Sequence, residues 1–391
     1  MPTKSRRLSN LPPYVFSVIG DRISKMQAEG IDVYRFDIGS PDLPPPSAVV
    51  ESLAATAAEP NVHDYSGYRG VRSFRVAIAN HYKARFGVEL NPDTQVLPLI
   101  GSKEGLVNLA LAYVSEGDIS LVPDIGYPAY AMGTRLAEGE VYWVPMPEEL
   151  RFLADVTQVP QDVADRAKVF WVNYPNNPTG VTAGIEFYQQ ALAFCQQHDI
   201  LLVSDNPYMD VLFDGKQAVS ALQAAQDTEY NNLLEFYSFS KSYNMAGWRL
   251  GAAVGSADAI KNLLQVKSNV DSGHFKPIYE AGITALQTPQ SWIDQRNAVY
   301  QKRRDWVLQA LPEIGLSTQP SDGTLYVWAK VANGISVSEY VEQALINAHV
   351  SIAPGGAYGP GGENYVRISI AVQEQRLQQG LEKLKSWYAS L

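Results

Sequence analysis

A chain of 391 residues, 46% hydrophobic and 18% charged, has the make-up of a globular α/β protein with room for two domains. Its formal charge of −10 argues against nucleic acid as a partner, because gripping phosphates takes clustered Lys and Arg. One cysteine, Cys195, excludes an internal disulfide and a cysteine-rich metal site, so no metal is expected.

The chain opens on a basic start, Lys4-Ser-Arg6-Arg7, with no apolar core of a secretory signal behind it. No apolar run nears the roughly 20 residues of a membrane span, so a cytoplasmic protein without a membrane partner is expected. Leu11-Pro-Pro-Tyr reads as extended, 18–26 as a helix, and 33–38 as a short strand. Gly39-Ser-Pro-Asp-Leu-Pro-Pro-Pro then forms a rigid loop, in which Gly39 either lets backbone approach a ligand or simply turns the chain.

From residue 47 helices alternate with short apolar runs. Helices are predicted at 47–58, 71–85 and from 102 to about 114. Strands are predicted at 96–100, 119–122, 141–144, 169–172, 200–203, 233–237 and 250–254. Runs apolar on successive residues are buried on both faces, which indicates a mainly parallel sheet wrapped by helices. Cys195 sits on the apolar face of a helix and reads as core packing. Beyond about residue 280 a long polar helix, 290–310, leads into a smaller α/β unit. That unit has apolar runs at 324–329, 350–353 and 365–370, a helix at 337–348 and a last helix from residue 374. The expected division is an arm and part of the small domain in 1–46, a large domain in 47–285 and a small domain in 286–391.

In open α/β sheets ligands bind outside the carboxyl ends of the strands, so the residues that follow each apolar run carry the chemistry. Gly101-Ser102-Lys103 opens a helix, whose free N–H groups and the Ser102 hydroxyl suit an anion; a plain serine cap is the alternative. Tyr127, in Asp124-Ile-Gly-Tyr-Pro, is placed either to stack on a flat heteroaromatic ligand or to fill a loop. Asn177, before Pro178, presents its amide to a ligand or closes an Asx turn. Asp205, at the end of an apolar strand, needs a cation or a ring N–H, unless it caps the turn before Pro207; Tyr208 lies three residues on. Arg367 interrupts the apolar strand Tyr365-Val-Arg-Ile-Ser, where it meets a ligand carboxylate or a structural salt-bridge partner.

Between two apolar runs lies Ser238-Phe-Ser-Lys241-Ser-Tyr-Asn-Met-Ala-Gly247-Trp-Arg249. A lysine at the mouth of a sheet loses its proton through desolvation and attacks a carbonyl as a free amine. The flanking hydroxyls and the guanidinium suit a phosphate. Aldehyde and phosphate together describe pyridoxal phosphate, and a turn with a solvated lysine is the bland alternative.

Taken in order, these motifs resemble the class I/II aminotransferases of pyridoxal-phosphate fold type I, from Gly39 to Arg367. Ser-Phe-Ser-Lys-Ser-Tyr-Asn-Met-Ala-Gly-Trp-Arg is the most specific piece, followed by Asn-Asn-Pro-Thr-Gly, Asp-Asn-Pro-Tyr and Gly-Tyr-Pro. Leu-Pro-Pro-Tyr-Val-Phe and Ile-Gly-Ser-Lys-Glu-Gly-Leu are similar to the bacterial alanine and LL-diaminopimelate aminotransferase group. The resemblance implies a three-layer α/β sandwich plus the smaller α/β domain. It implies that Lys241 binds pyridoxal phosphate covalently and moves the proton, Asp205 meets the pyridine nitrogen, and Tyr208 and Asn177 meet the ring oxygen. Tyr127 would stack on the ring, and Ser102, the Lys103 N–H, Ser238, Ser240 and Arg249 would hold the phosphate. Tyr65, in Tyr-Ser-Gly-Tyr-Arg-Gly, would reach the phosphate of a partner subunit, which implies a homodimer. Arg367, Gly39 and Asn177 would take the substrate α-carboxylate. The implied reaction is ping-pong transamination between an L-amino acid and a 2-oxo acid, of alanine, glutamate, aspartate or LL-diaminopimelate type. A lyase or decarboxylase of the same fold is the alternative, and a non-catalytic pyridoxal-phosphate sensor a remote one. After Asp124 the family has proline where this chain has isoleucine, which puts the rigidity of that loop in question. His274 and Lys276, in Asp271-Ser-Gly-His-Phe-Lys-Pro, are candidates for a distal carboxylate, as is the Lys103 side chain; the alternative is solvation.

Overall fold

The computed structural model describes residues 2–9, 11–332 and 334–391. The buried runs form one seven-stranded sheet from β2 (Val96–Leu99), β3 (Ile119–Pro123), β4 (Glu140–Val144), β5 (Ala167–Val172), β6 (Leu201–Asn206), β7 (Leu233–Ser238) and β8 (Gly251–Gly255). Their order is β2-β8-β7-β6-β5-β3-β4. Every residue of β3, β6 and β7 is buried, since helices cover both faces. The neighbours from β4 through β7 pair parallel, whereas β8 runs antiparallel to both β2 and β7. Two reversals return β2 to the direction of β7. The carboxyl ends of β2, β3, β5, β6 and β7 therefore share one edge with the amino end of β8. That explains why Arg249 comes just before its strand and the other candidates just after theirs.

β1 (Tyr34–Arg35) is shorter than the predicted run 33–38 and pairs with β11 (Val350–Ser351). The chain past β1 still bonds to its surroundings, with Phe36 N donating to Ser351 O and Phe36 O accepting from Ser369 N. β9 (Leu316–Ser317), β10 (Tyr326–Val331), β12 (Ala353–Pro354) and β13 (Tyr365–Ser369) make an antiparallel sheet in the order β12-β13-β10-β9. Tyr34 and Phe36 share an apolar cluster with residues of this sheet, so the start of the chain packs with its end. Cys195 is buried as core. Among the described residues no helix is long and apolar enough to cross a membrane.

The helix Gln290–Ala310 has the predicted bounds and an exposed polar side, with Ser291, Asp294, Gln295 and Lys302 in solvent, but its other face is buried. Ile293, Arg296, Tyr300, Arg303, Arg304 and Val307 are buried, and their spacing of three and four puts them on one face.

β7 carries a fully buried carboxylate, Glu235, which burial pushes above the usual carboxylate range. It accepts from Tyr82 Oη at 2.9 Å, Ser204 Oγ at 3.1 Å, Ser220 Oγ at 2.8 Å and Ala221 N at 2.8 Å. Removing the acceptor strands four buried donors on three elements. Glu235→Ala is expected to lower stability by about 3 kcal/mol, measured by urea unfolding. A loss below about 1 kcal/mol would show that water replaces the carboxylate freely.

Candidate active site

Every residue expected to meet cofactor or substrate, Tyr65 aside, lines one cavity of about 550 Å³ at the carboxyl edge of the large sheet. The carboxyl ends of β2, β3, β5, β6 and β7, with the segments that follow them, contribute Ser102, Lys103, Tyr127, Asn177, Asp205, Tyr208, Ser238, Ser240 and Lys241. Arg249 comes from the turn before β8, Gly39 from the chain after β1, and Arg367 from β13.

Lys241 Nζ donates to the carbonyl of Gly39 at 2.5 Å and has no carboxylate partner among the described residues. Desolvation, with the positive charges of Arg367 and Arg249, lowers its pKa to about 7. The solvated-lysine alternative does not hold. Asp205 is only 2% exposed; Tyr130 Oη donates to its Oδ2 at 2.7 Å, and its Oδ1 has no donor among the described residues. Burial raises it to about 7, with Tyr130 pulling the other way. It sits inside β6 rather than capping a turn, so the N-cap alternative falls too.

Arg367 is 4% exposed and has no salt-bridge partner among the described residues, which removes the structural ion-pair alternative. Nη1 donates to Asn177 Oδ1 at 3.0 Å and Nη2 to the Asp37 carbonyl at 2.7 Å, while Nε is unpartnered. The rings of Tyr326 and Tyr358 hold its flat face, with centroids 3.9 and 4.9 Å away. Fixing the Asn177 amide oxygen on Arg367 leaves the amide nitrogen to donate into the cavity. Tyr208 and Tyr326 share a hydroxyl–hydroxyl bond of 2.8 Å.

An anion cradle lies at the other end. Ser102 is the first residue of the helix Ser102–Tyr113, and Gly101, not Ser102, is its cap. Gly101 has φ +71°, and a Cβ there would strike the Arg249 guanidinium, so only glycine leaves that approach open. Ser238 Oγ accepts from Ser240 N at 3.2 Å. Lys103 Nζ lies 4.8 Å from the Tyr14 ring centroid and 6.0 Å from that of Tyr127, and desolvation and Arg249 draw its pKa down.

Other candidates lie elsewhere. Tyr65 is 84% exposed, away from the cavity. His274 is buried, not solvated; its ring donates from Nε2 to the Arg249 carbonyl at 2.6 Å, so it braces the cradle from behind. Lys276 pairs with Asp64 at the surface. The loop at Asp124 is tied down without the family's proline. Asp124 Oδ1 accepts from Met146 N at 2.9 Å, and Asp124 O accepts from Gly361 N at 3.0 Å. Tyr14, Phe16, Tyr130, Tyr326 and Tyr358 are the functional residues the sequence reading passed over. Only Tyr130 carries a local signal, three residues beyond Tyr127 at the start of a helix.

A buried amine whose proton is weakly held, beside guanidiniums with no acidic partner among the described residues, suits an enzyme working between amines and carbonyls. Comparison with known proteins gives its kind. The family model for aminotransferases of class I and II matches residues 31–384, and the chain belongs to that family; it is an aminotransferase. It is 44% identical to an LL-diaminopimelate aminotransferase of Dehalococcoides mccartyi strain 195, over 98% of both chains. It is 43% identical to one of Moorella thermoacetica, over 98% of this chain and 97% of the other. Among solved structures, apo-BacF from Bacillus subtilis superposes with a TM-score of 0.94 at 34% identity, covering 99% of this chain and 98% of that one. A probable N-succinyldiaminopimelate aminotransferase from Thermus thermophilus gives 0.89, also at 34%, covering 95% and 100%.

Both perturbed groups weaken the ligand-free fold, in opposite pH windows. Lys241 binds its proton less tightly folded than unfolded, so stability rises with pH from about 7 toward the ordinary lysine value. Asp205 binds its proton more tightly folded, so stability falls as pH rises from the ordinary carboxylate value to about 7. Lys241→Met is thus expected to stabilise the ligand-free protein more at pH 6 than at pH 9, and Asp205→Asn more at pH 8 than at pH 5. Urea unfolding at each pH measures both, and gains independent of pH would overturn the assignment.

Proposed function

We propose that the protein is a pyridoxal-phosphate-dependent aminotransferase that moves an amino group between an amino acid with a distal carboxylate, LL-diaminopimelate foremost, and a 2-oxo acid. The observation that carries this is the buried Asp205 Oδ1, which lacks a donor in the same cavity as an amine held near neutrality. The residues fit the cofactor group by group. Asp205 Oδ1 suits the ring N–H, the Asn177 amide and Tyr208 hydroxyl suit the ring oxygen, and Tyr127 suits the ring face. Ser102, the Lys103 N–H, Ser238, Ser240 and Arg249 suit the phosphate, with the Arg249 guanidinium packed against the bare backbone of Gly101. When bound, pyridoxal phosphate supplies an aldehyde carbon for amines and a ring that stabilises negative charge at the α-carbon.

The chain's own residues then divide the work. Arg367 binds the α-carboxylate and so orients the α C–H bond. Lys241, free of its proton near pH 7, removes the α-proton and later returns it one atom further along. The carboxylate of Asp205 keeps the ring nitrogen protonated, and Tyr14, Phe16 and Tyr358 shield the cavity from water. Release of a 2-oxo acid and binding of a second run the same steps backward.

The substrate class is supported by the relatives' identity and by Lys103, whose ammonium has no carboxylate partner among the described residues and stands over Tyr14 in the cavity. Exposed Tyr65 and Tyr68 lie on a loop that packs against Gly273, beside the stacked pair His63 and Phe275. This aromatic surface supports a homodimer in which Tyr65 reaches the partner's phosphate site. The division into a large domain at 47–285 and a small one at 286–391 joined by the arm is part of the same reading.

The test is a panel of LL-diaminopimelate, glutamate, aspartate and alanine against 2-oxoglutarate, pyruvate and oxaloacetate. Lys241→Ala is expected to cut transamination by about a thousandfold or more and to abolish the bound cofactor's visible absorbance. Lys103→Met is expected to raise KM about tenfold for the three dicarboxylic donors and to leave alanine within about twofold. Donor consumption without any 2-oxo acid acceptor would point instead to a lyase or decarboxylase.

A further inference from the structure

The helix Gln290–Ala310 buries three arginines, of which Arg296 and Arg303 lie seven residues apart. That spacing places them on one face, about 10 Å apart along the axis. Arg296 Nη1 donates to the carbonyls of Lys241, at 3.0 Å, and Ser242, and Nη2 donates to the carbonyl of Asp210. Asn297 adds a bond from Nδ2 to the same Asp210 carbonyl at 2.9 Å, and its Oδ1 accepts from Arg296 Nε and Nη2. The guanidinium thus joins the turn bearing Lys241 to the segment that follows Tyr208. Two turns along, Arg303 Nη1 grips the Asp42 carboxylate at 2.8 and 3.0 Å and the Ile370 carbonyl at 3.3 Å. It joins the Gly39–Asp42 loop to the end of the strand that carries Arg367.

An apolar residue would fill either position without the desolvation that a buried guanidinium suffers. Stability alone does not account for the pair. What the two share is the geometry they span: one end fixes the amine, the other the carboxylate site.

We propose that Arg296 and Arg303 are paired positioning residues that set the distance between the amine of Lys241 and the carboxylate site formed by Gly39 and Arg367. The helix face acts as a gauge for where the α-carbon rests. This inference stands on the aminotransferase reading of the site. The two residues act on different steps: Arg296 on the proton movement made by Lys241, Arg303 on carboxylate binding.

Lysine keeps the charge at either position but not the planar fork that holds several acceptors. Arg296→Lys is expected to lower kcat about tenfold or more with KM within about threefold, and Arg303→Lys to raise KM about tenfold or more with kcat within about threefold. Asp42→Asn, which weakens the grip of Arg303, repeats the Arg303→Lys pattern more mildly. In the cofactor-free protein, the pH midpoint for covalent labelling of Lys241 by an amine reagent shifts upward in Arg296→Lys and stays put in Arg303→Lys. Parallel changes of kcat and KM in both variants, tracking a lowered Tm, would overturn the proposal, as would an unmoved labelling midpoint in Arg296→Lys. A wild-type protein that transaminates no donor would defeat the reading of the site instead, and the labelling experiment would still decide the role of Arg296.

Discussion

The structure turns on loosening the hold of one amine on its proton. Lys241 sits at the end of a fully buried strand, with two guanidiniums near it, no acid among the described residues, and only a carbonyl to receive its hydrogen bond. Burial and the two guanidiniums disfavour the ammonium form, and no carboxylate among the described residues offsets them; the Gly39 carbonyl holds the amine in place. The rest of the site follows from that condition. Both guanidiniums that repel the proton also line the cavity, so in the proposed reading one set of charges tunes the nucleophile and receives the ligand's anions. Adding an acid beside Lys241 would satisfy the lysine and spoil it as a base.

Much of this was legible because of how a parallel sheet is wired. Strands that run the same way bring their carboxyl ends to one edge, so the polar residue after each apolar run belongs to a common site whatever the strand order. Ser102, Tyr127, Asn177 and Asp205 were singled out on that reasoning, Lys241 by the hydroxyls and arginine of its own motif, and the resemblance suggested their roles. Arg249 breaks the rule by preceding its strand, because β8 is antiparallel. In the sequence it was visible only because it shares a motif with Lys241.

What stayed hidden is what chain order does not encode. Tyr326 and Tyr358 reach Arg367 from an antiparallel sheet and a short turn, through contacts with no fixed spacing. Arg296 and Arg303 obey helical periodicity, but arginine on a periodic face reads as solvent-facing, and only tertiary acceptors reveal that it is buried. His274 misled in the same way: a polar residue in a Ser-Gly loop reads as exposed, whereas it packs edge-on against Tyr279 behind the anion cradle. Arg296, Arg303 and His274 share one trait, a bond to a backbone carbonyl far along the chain.

Asp205 and Lys241 also show why such a site waits for a ligand. One is a buried acid, its pKa raised, without a donor on Oδ1 among the described residues; the other is a buried amine, its pKa lowered, without an acid to accept from it. Each strains the fold alone, and their opposite pH windows mean that no single pH relieves both. A ligand that presents an N–H to Asp205 and a carbonyl carbon to Lys241 relieves both at once. Binding energy and folding stability are then one quantity, so the groups that weaken the empty fold are those that hold the ligand most firmly. The same coupling explains the care with which the surrounding backbone is pinned. An unsatisfied buried acid and a poorly paired amine would otherwise rotate toward each other or toward water, and either escape would end the chemistry they are held apart to perform.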